Sequence, residues 1–251
     1  PRRNTRSEYV KGFSQLVADN HLEGILATAW DDGSPHMETV WRGLIAQGEF
    51  GWNPSARDIA TFKKVHAQRE YGFRPEDNRM EFLDELEKAI FFFDSALVTS
   101  GHRNPAWGTS GFTLIGLPDK ANPGAWSELY KDKIAQAKIE AGRYEKIAEG
   151  IRTAEAEALR NRYALQVYEQ TNNLQNYPVR LILTLNAYDT AKDDAARKAA
   201  LEKVAEVCDY FEVMRSDLES VYSETRFMEQ PEGFISDLNH HNHLASKTNN
   251  S

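Results

Sequence analysis

From residue 55 onward the apolar side chains return every three or four positions almost without interruption, a period that belongs to helices packed on one another rather than to strands. The clearest run is Ala200, Val204, Val207, Phe211, Met214, Leu218 and Val221, whose alternating steps draw a narrow seam of coiled-coil type. Tyr130, Ile134, Ala137, Ala141, Tyr144, Ala148 and Ile151 draw a second one. Two long seams bury themselves best against each other, so residues 55–251 are expected to form an all-α bundle of long antiparallel helices. Asp193 or Asp194 can cap the last of these helices. Ser55 can cap another that reaches about residue 71, where Gly72 and Pro75 close it. Met80, Leu83, Leu86, Ile90, Phe93 and Leu97 give the next helix a single apolar stripe. Residues 159–173 read as helical, and Pro178, which has no N–H to donate, predicts a helix start or kink before residues 179–188. Residues 101–123 are rich in Gly, Pro and Asn, and their Trp107, Phe112, Leu114, Ile115 and Leu117 predict a long connection that packs.

The first 54 residues read differently. Tyr9, Phe13, Leu16 and Val17, at helical spacing, predict a helix over residues 5–20 that Asn20 can end. Residues 25–29 are short, apolar and branched, as in a strand buried on both faces, and the run ends in Trp30-Asp31-Asp32-Gly33. Side chains alternate along a strand, so Trp30 and Asp32 share one side and Asp31 takes the other. Gly33, Ser34 and Pro35 break the strand, and Val40 and Leu44 mark an amphipathic helix after it. Strand ends of this kind bind ligands in parallel α/β folds. An indole face beside a carboxylate suits a sugar, with apolar packing from one and hydroxyl acceptors from the other. A core Trp beside a helix-capping Asp accounts for the same pair.

In its order of strand, Trp30-x-Asp32, turn, then Trp41, Gly48, Glu49 and Trp52 followed by Asn53-Pro54, this stretch resembles the last strand and helix of the catalytic barrel in glycoside hydrolase family 20, the β-N-acetylhexosaminidases. Asp31-Asp32-Gly33-Ser34-Pro35-His36 with Glu38 looks like one subgroup, in which a helical region follows the barrel, and residues 226–248 look similar to the end of that region. The resemblance implies a closing helix-strand-helix of a (β/α)8 TIM barrel over 1–54 and an accessory helical domain over 55–251, so a mainly α chain. It implies removal of terminal N-acetylhexosamine by substrate-assisted retention, with no cofactor. Trp30 would wall the sugar pocket and Asp32, where the family usually has Glu, would receive sugar hydroxyls. Glu38 and Glu49 would anchor the helix to neighbouring strands, and Trp41 and Trp52 would pack. The partners implied are an N-acetylhexosamine-containing glycan and the remainder of the barrel, in an extracytoplasmic compartment. The catalytic Asp-Glu pair of the family would lie on an earlier strand, leaving this chain inactive alone. Asp84-Glu85 is such a pair by composition, but it falls mid-helix, where charged residues on the solvent face are routine. The contrasting reading is a non-catalytic helical module that binds a protein or a glycan.

Composition narrows the classes further. A net charge of -8 without a long basic run argues against a nucleic-acid surface, and 41% hydrophobic residues suffice for a packed core. No run of apolar residues is long enough to span a membrane. The chain opens Pro1-Arg2-Arg3-Asn4, without an initiator Met or an apolar signal region, as expected of a piece of something longer. Cys208 is the single cysteine, lies in the apolar stripe of the last helix and is expected to be buried. His240, His241 and His243 could ligate a metal, but Asp237 is the only carboxylate near them and packing against the helices is the plainer expectation. No phosphate-binding glycine loop, serine elbow or paired-cysteine motif occurs.

Overall fold

A computed structural model of the chain describes residues 6–28, 36–100 and 113–226. Its architecture is mainly helical. The elements in order are α1 (Ser7–Asp19), α2 (Glu38–Trp52), α3 (Ile59–Tyr71), α4 (Glu81–Ser95), β1 (Val98–Ser100), β2 (Thr113–Leu114), α5 (Ala125–Leu129), α6 (Lys131–Glu157), α7 (Arg162–Asp189) and α8 (Asp194–Ser223). They divide between two compact units, one of residues 1–88 and 147–169, the other of 89–146 and 170–251, so α4, α6 and α7 each contribute to both. The position-55 boundary read from composition lies inside the first unit.

In the first unit α1, α2 and α3 share a core of Val10, Ala46, Phe50 and Phe62, with Ile45 and Ile59 against it. The Phe50 and Phe62 rings are tilted with centroids 5.2 Å apart. The face of α1 that is buried is Ser7, Val10, Ser14 and Val17. Of the helically spaced Tyr9, Phe13, Leu16 and Val17 only Val17 is buried, and the other three are each 55% exposed. Residues 25–28 are not in a ladder among the described residues and are largely exposed, with Leu26 at 86%. A parallel strand needs neighbours to take its backbone hydrogen bonds, and this stretch supplies none. Residue 29 lies outside the described residues.

α3 is capped by Asp58, not Ser55: Asp58 Oδ1 accepts from the Thr61 amide at 2.8 Å, three residues on, where an N-cap carboxylate reaches best. Its far end closes as expected, on Gly72 in the left-handed region at φ 84. A Cβ there would sit 2.9 Å from the Cβ of Leu159, so both conformation and contact favour glycine. Arg160 then donates from Nε to the carbonyl of Arg69 and from Nη2 to that of Gln68, at 2.9 and 2.8 Å, satisfying the last turn of α3. Phe82 of α4 packs edge-on to Tyr168 of α7, and Gly150 of α6 lets α4 come close, since a Cβ there would lie 2.8 Å from the Phe82 Cβ.

In the second unit β1 and β2 pair antiparallel, a two-stranded ladder among the described residues. The connection after it is not packed as expected. Leu114 and Leu117 are exposed, and Trp107 and Phe112 lie outside the described residues. It is held by hydrogen bonds instead, from Trp126 Nε1 to the Gly116 carbonyl and from the Gly116 amide to the Tyr130 hydroxyl. Asp189, at the end of α7, accepts from the Ser127 amide at 2.8 Å and from the Gly124 amide through its own carbonyl at 3.1 Å.

The α8 seam is as read. Ala200, Phe211, Met214 and Val221 are buried and Val204, Val207 and Leu218 half-buried, with Asp193 as N-cap to the Ala196 amide. Cys208, one position past Val207, is about 100° round the helix from the seam and is exposed, so the burial expected of it is wrong. In α6 the buried line begins at Ile134 and Ala137 but continues through Glu140, Tyr144, Ile147 and Ile151, with Ala141 and Ala148 only half-buried. A straight helix of 3.6 residues per turn drifts off a strict heptad in this way. α7 runs uninterrupted through Pro178, so no helix starts there. A proline ring in mid-helix deletes one backbone hydrogen bond, and this 28-residue helix carries Pro178 inside it.

Candidate functional site: an ion network on helix α2

Trp30 and Asp32, the residues expected to bind sugar, lie outside the described residues, as do Asp31, His240, His241 and His243. The helix that follows them is present as α2, and its Arg42 joins an ion network of unit 1.

Arg42 is buried at the centre. Its Nη2 donates to Asp84 Oδ1 at 2.7 Å and to Glu87 Oε1 at 2.6 Å. Asp84 receives a second cation from Lys63, whose Nζ lies 2.7 Å from Oδ2 and 2.6 Å from Glu8 Oε1. Arg6 Nε stands 3.7 Å from Glu87 Oε2. Arg6, Arg42 and Lys63 thus alternate with Glu87, Asp84 and Glu8, and their formal charges cancel. The three cations and three anions come from α1 and the residue before it, α2, α3 and α4.

The titration behaviour follows from this geometry. Burial works to raise Asp84, but Arg42 and Lys63 outweigh it and hold the carboxyl below its ordinary value. Glu8 is likewise lowered, its burial being overcome by the Lys63 hydrogen bond. For Glu87 burial wins over Arg42 and the pKa is raised. Burial opposes the charge of Arg42 as well, and Glu87 and Asp84 more than restore it. His66, buried one turn after Phe62, is pushed down to about 3, first by burial and then by the Arg42 charge, so it is neutral at ordinary pH. Beyond it Tyr71 and Tyr168 are both raised by burial, Tyr168 to about 12, and the Tyr168 hydroxyl donates to the Glu38 carbonyl at 3.2 Å.

Asp84-Glu85 therefore does not lie on a plain solvent face. Asp84 turns inward to two cations, while Glu85 turns outward to Lys88 at 2.5 Å. A carboxylate held charged by two cations has no proton to give. Glu38 lies 3.9 Å from His36 Nδ1, and Glu49 pairs with Arg57 at 2.7 Å, so both anchor to unit 1 itself. Trp41 is half-exposed and Trp52 is 92% exposed, against the packing expected of them. Gly48 has open space where a Cβ would stand.

Reasoning from sequence missed Arg42 and Glu87. The available signal was an apolar-flanked Arg within the amphipathic pattern of α2, and a Glu on the buried stripe of α4. Among the described residues no cluster of His, Cys, Asp and Glu could hold a metal ion, and no helix is long and apolar enough to cross a membrane. No protein-family model matches the chain, and neither a curated protein nor a solved structure matches it.

Proposed function

We propose that this chain is the C-terminal part of a β-N-acetylhexosaminidase-like glycoside hydrolase, contributing Trp30 and Asp32 to the sugar pocket and an accessory helical region behind it. The succession of Trp30, Asp32, Trp41, Gly48, Glu49 and Trp52 along the sequence carries this reading. It draws support from the surface of unit 1. Tyr9, Phe13 and Leu16 of α1, Leu26 after it, and Trp41 and Trp52 of α2 leave apolar area uncovered. A closing barrel element, lifted from its neighbouring strands, would expose just such faces. In the intact enzyme the substrate's own acetamido oxygen attacks, the acid and the acetamido-orienting residue come from earlier strands, and no cofactor takes part.

The test is kinetic, on the intact enzyme with a chromogenic N-acetylglucosaminide. Trp30→Ala removes an apolar wall and should lower kcat/KM by about 1–3 kcal/mol of transition-state binding. Asp32→Ala removes charged acceptors and should cost roughly 1.5–3 kcal/mol. Unchanged kinetics for both, with the fold intact, would leave the exposed aromatic faces as the docking surface of a non-catalytic helical module. Turnover by residues 1–251 alone, indifferent to Trp30, would also overturn the proposal.

A further inference from the structure

Within the second unit α7 carries two carboxamides on its buried side. Asn172 and Gln175 are each 2% exposed, and they stand three residues apart, which places their Cβ atoms about 5–6 Å from each other on one face. Val179 and Ile182 continue that buried line in α7, while Ile134, Ala137 and Tyr144 are buried in the same unit's part of α6. Asn172 Nδ2 donates to the Tyr144 carbonyl at 3.3 Å. Asn172 Oδ1, Gln175 Oε1 and Gln175 Nε2 have no hydrogen-bond partner among the described residues.

Three polar atoms so enclosed call for a partner. The buried apolar side chains of α6 and α7 have no polar atom to provide one. The Tyr144 hydroxyl is spent on the Ala89 carbonyl at 3.3 Å, and the buried Glu140 is taken by Gln136 and Arg143, each at 2.7 Å. A cation finds only neutral amide oxygens here, and an anion finds one amide donor. What matches is a small group with two hydrogens to give and a lone pair to receive one. We infer that Asn172 and Gln175 hold a single internal water, which donates to Asn172 Oδ1 and Gln175 Oε1 and accepts from Gln175 Nε2. Three bonds is the usual complement of a buried water. Such a water ties two turns of α7 together and fixes the rotation of that helix about its axis, because turning either amide out of the seam breaks the bridge.

The experiment counts long-lived waters by oxygen-17 magnetic relaxation dispersion in the chain and in Gln175→Leu, and records the contact of the Gln175 side-chain NH2 with water by NMR in the unaltered chain. The expected result is a persistent water contact at that NH2 and one fewer long-lived water in the variant. The NMR reading needs no variant, and Gln175→Met offers a closer shape should the leucine fail to fold. No water contact at Gln175, an unchanged water count in the variant, or a direct amide–amide hydrogen bond between Asn172 and Gln175 would each overturn the assignment.

Discussion

Replacing Arg42 with alanine would leave two carboxylates behind, and their fates differ. Asp84, with its side chain 28% exposed, keeps Lys63 at 2.7 Å and can regain water. Glu87, 5% exposed, keeps Arg6 at 3.7 Å among the described residues. Breaking a buried ion pair from one side costs about 3–5 kcal/mol, and with Asp84 largely rescued the lower figure applies, about 3 kcal/mol. Hydrogen exchange at the α2 amides of residues 40–50 reads this directly: unfolding-limited exchange should quicken roughly 150-fold. The dependence on pH has a definite sign. Glu87 already titrates above 4.5 in the fold, so its contribution is fully present below 4.5 and fades as the pH rises through the folded value. Without Arg42 its pKa climbs further. The penalty of Arg42→Ala should therefore be largest near neutrality and shrink toward about pH 4.5, as Glu87 takes up a proton. Adding Glu87→Gln should recover most of the loss, since the stranded charge goes with it. A loss under about 1 kcal/mol, a loss independent of pH, or strict additivity in the double variant would refute the network as the tie between α2 and α4.

Other expectations concern single positions. His66 is lowered from 6.5 to about 3, so its stabilising contribution is whole above pH 6.5 and is lost as the pH falls toward 3; His66→Phe should remove about 3 kcal/mol of the destabilisation between pH 7 and pH 4, read from urea midpoints. Gly72→Ala should cost about 1–2 kcal/mol in the same assay, through its φ of 84 and the Leu159 contact, and a neutral result would mean the α3 terminus rearranges freely. Gly150→Ala should destabilise despite alanine's better helix propensity, because the Phe82 Cβ lies 2.8 Å away; a higher melting temperature would count against that close approach. Asp193→Ala should cost about 1 kcal/mol, with faster amide exchange confined to the first turn of α8.

What could be read from the sequence were features whose cause is local. Gly72 ends α3 because its own backbone must turn left-handed, and Asp193 caps α8 because its carboxylate reaches an amide three residues on. The α8 seam was legible because one period persists over seven buried or half-buried positions. Features that depend on partners distant in sequence were not. Arg42 meets Glu87 across 45 residues, and neither residue's immediate neighbours announce the other. Tyr9, Phe13 and Leu16 have a helical period that says they share a face, and it cannot say whether anything lies against that face. Asn172 and Gln175 look like ordinary polar relief on a helix until burial places them in its seam. Trp30 and Asp32 rest on residue order alone, since they fall outside the described residues.

The division of the chain bears on how it emerges from the ribosome. The first unit is assembled from residues 1–88 and 147–169, with 89–146 belonging to the other, so its N-terminal part must wait for the intervening segment to be synthesised. Through that interval α4 lacks the turns of α6 and α7 that bury Phe82, and the Arg42 network has only its own four helices to keep it closed. A nascent chain stalled before residue 147 should therefore display an incomplete first unit to chaperones and proteases, and one released past residue 169 should not.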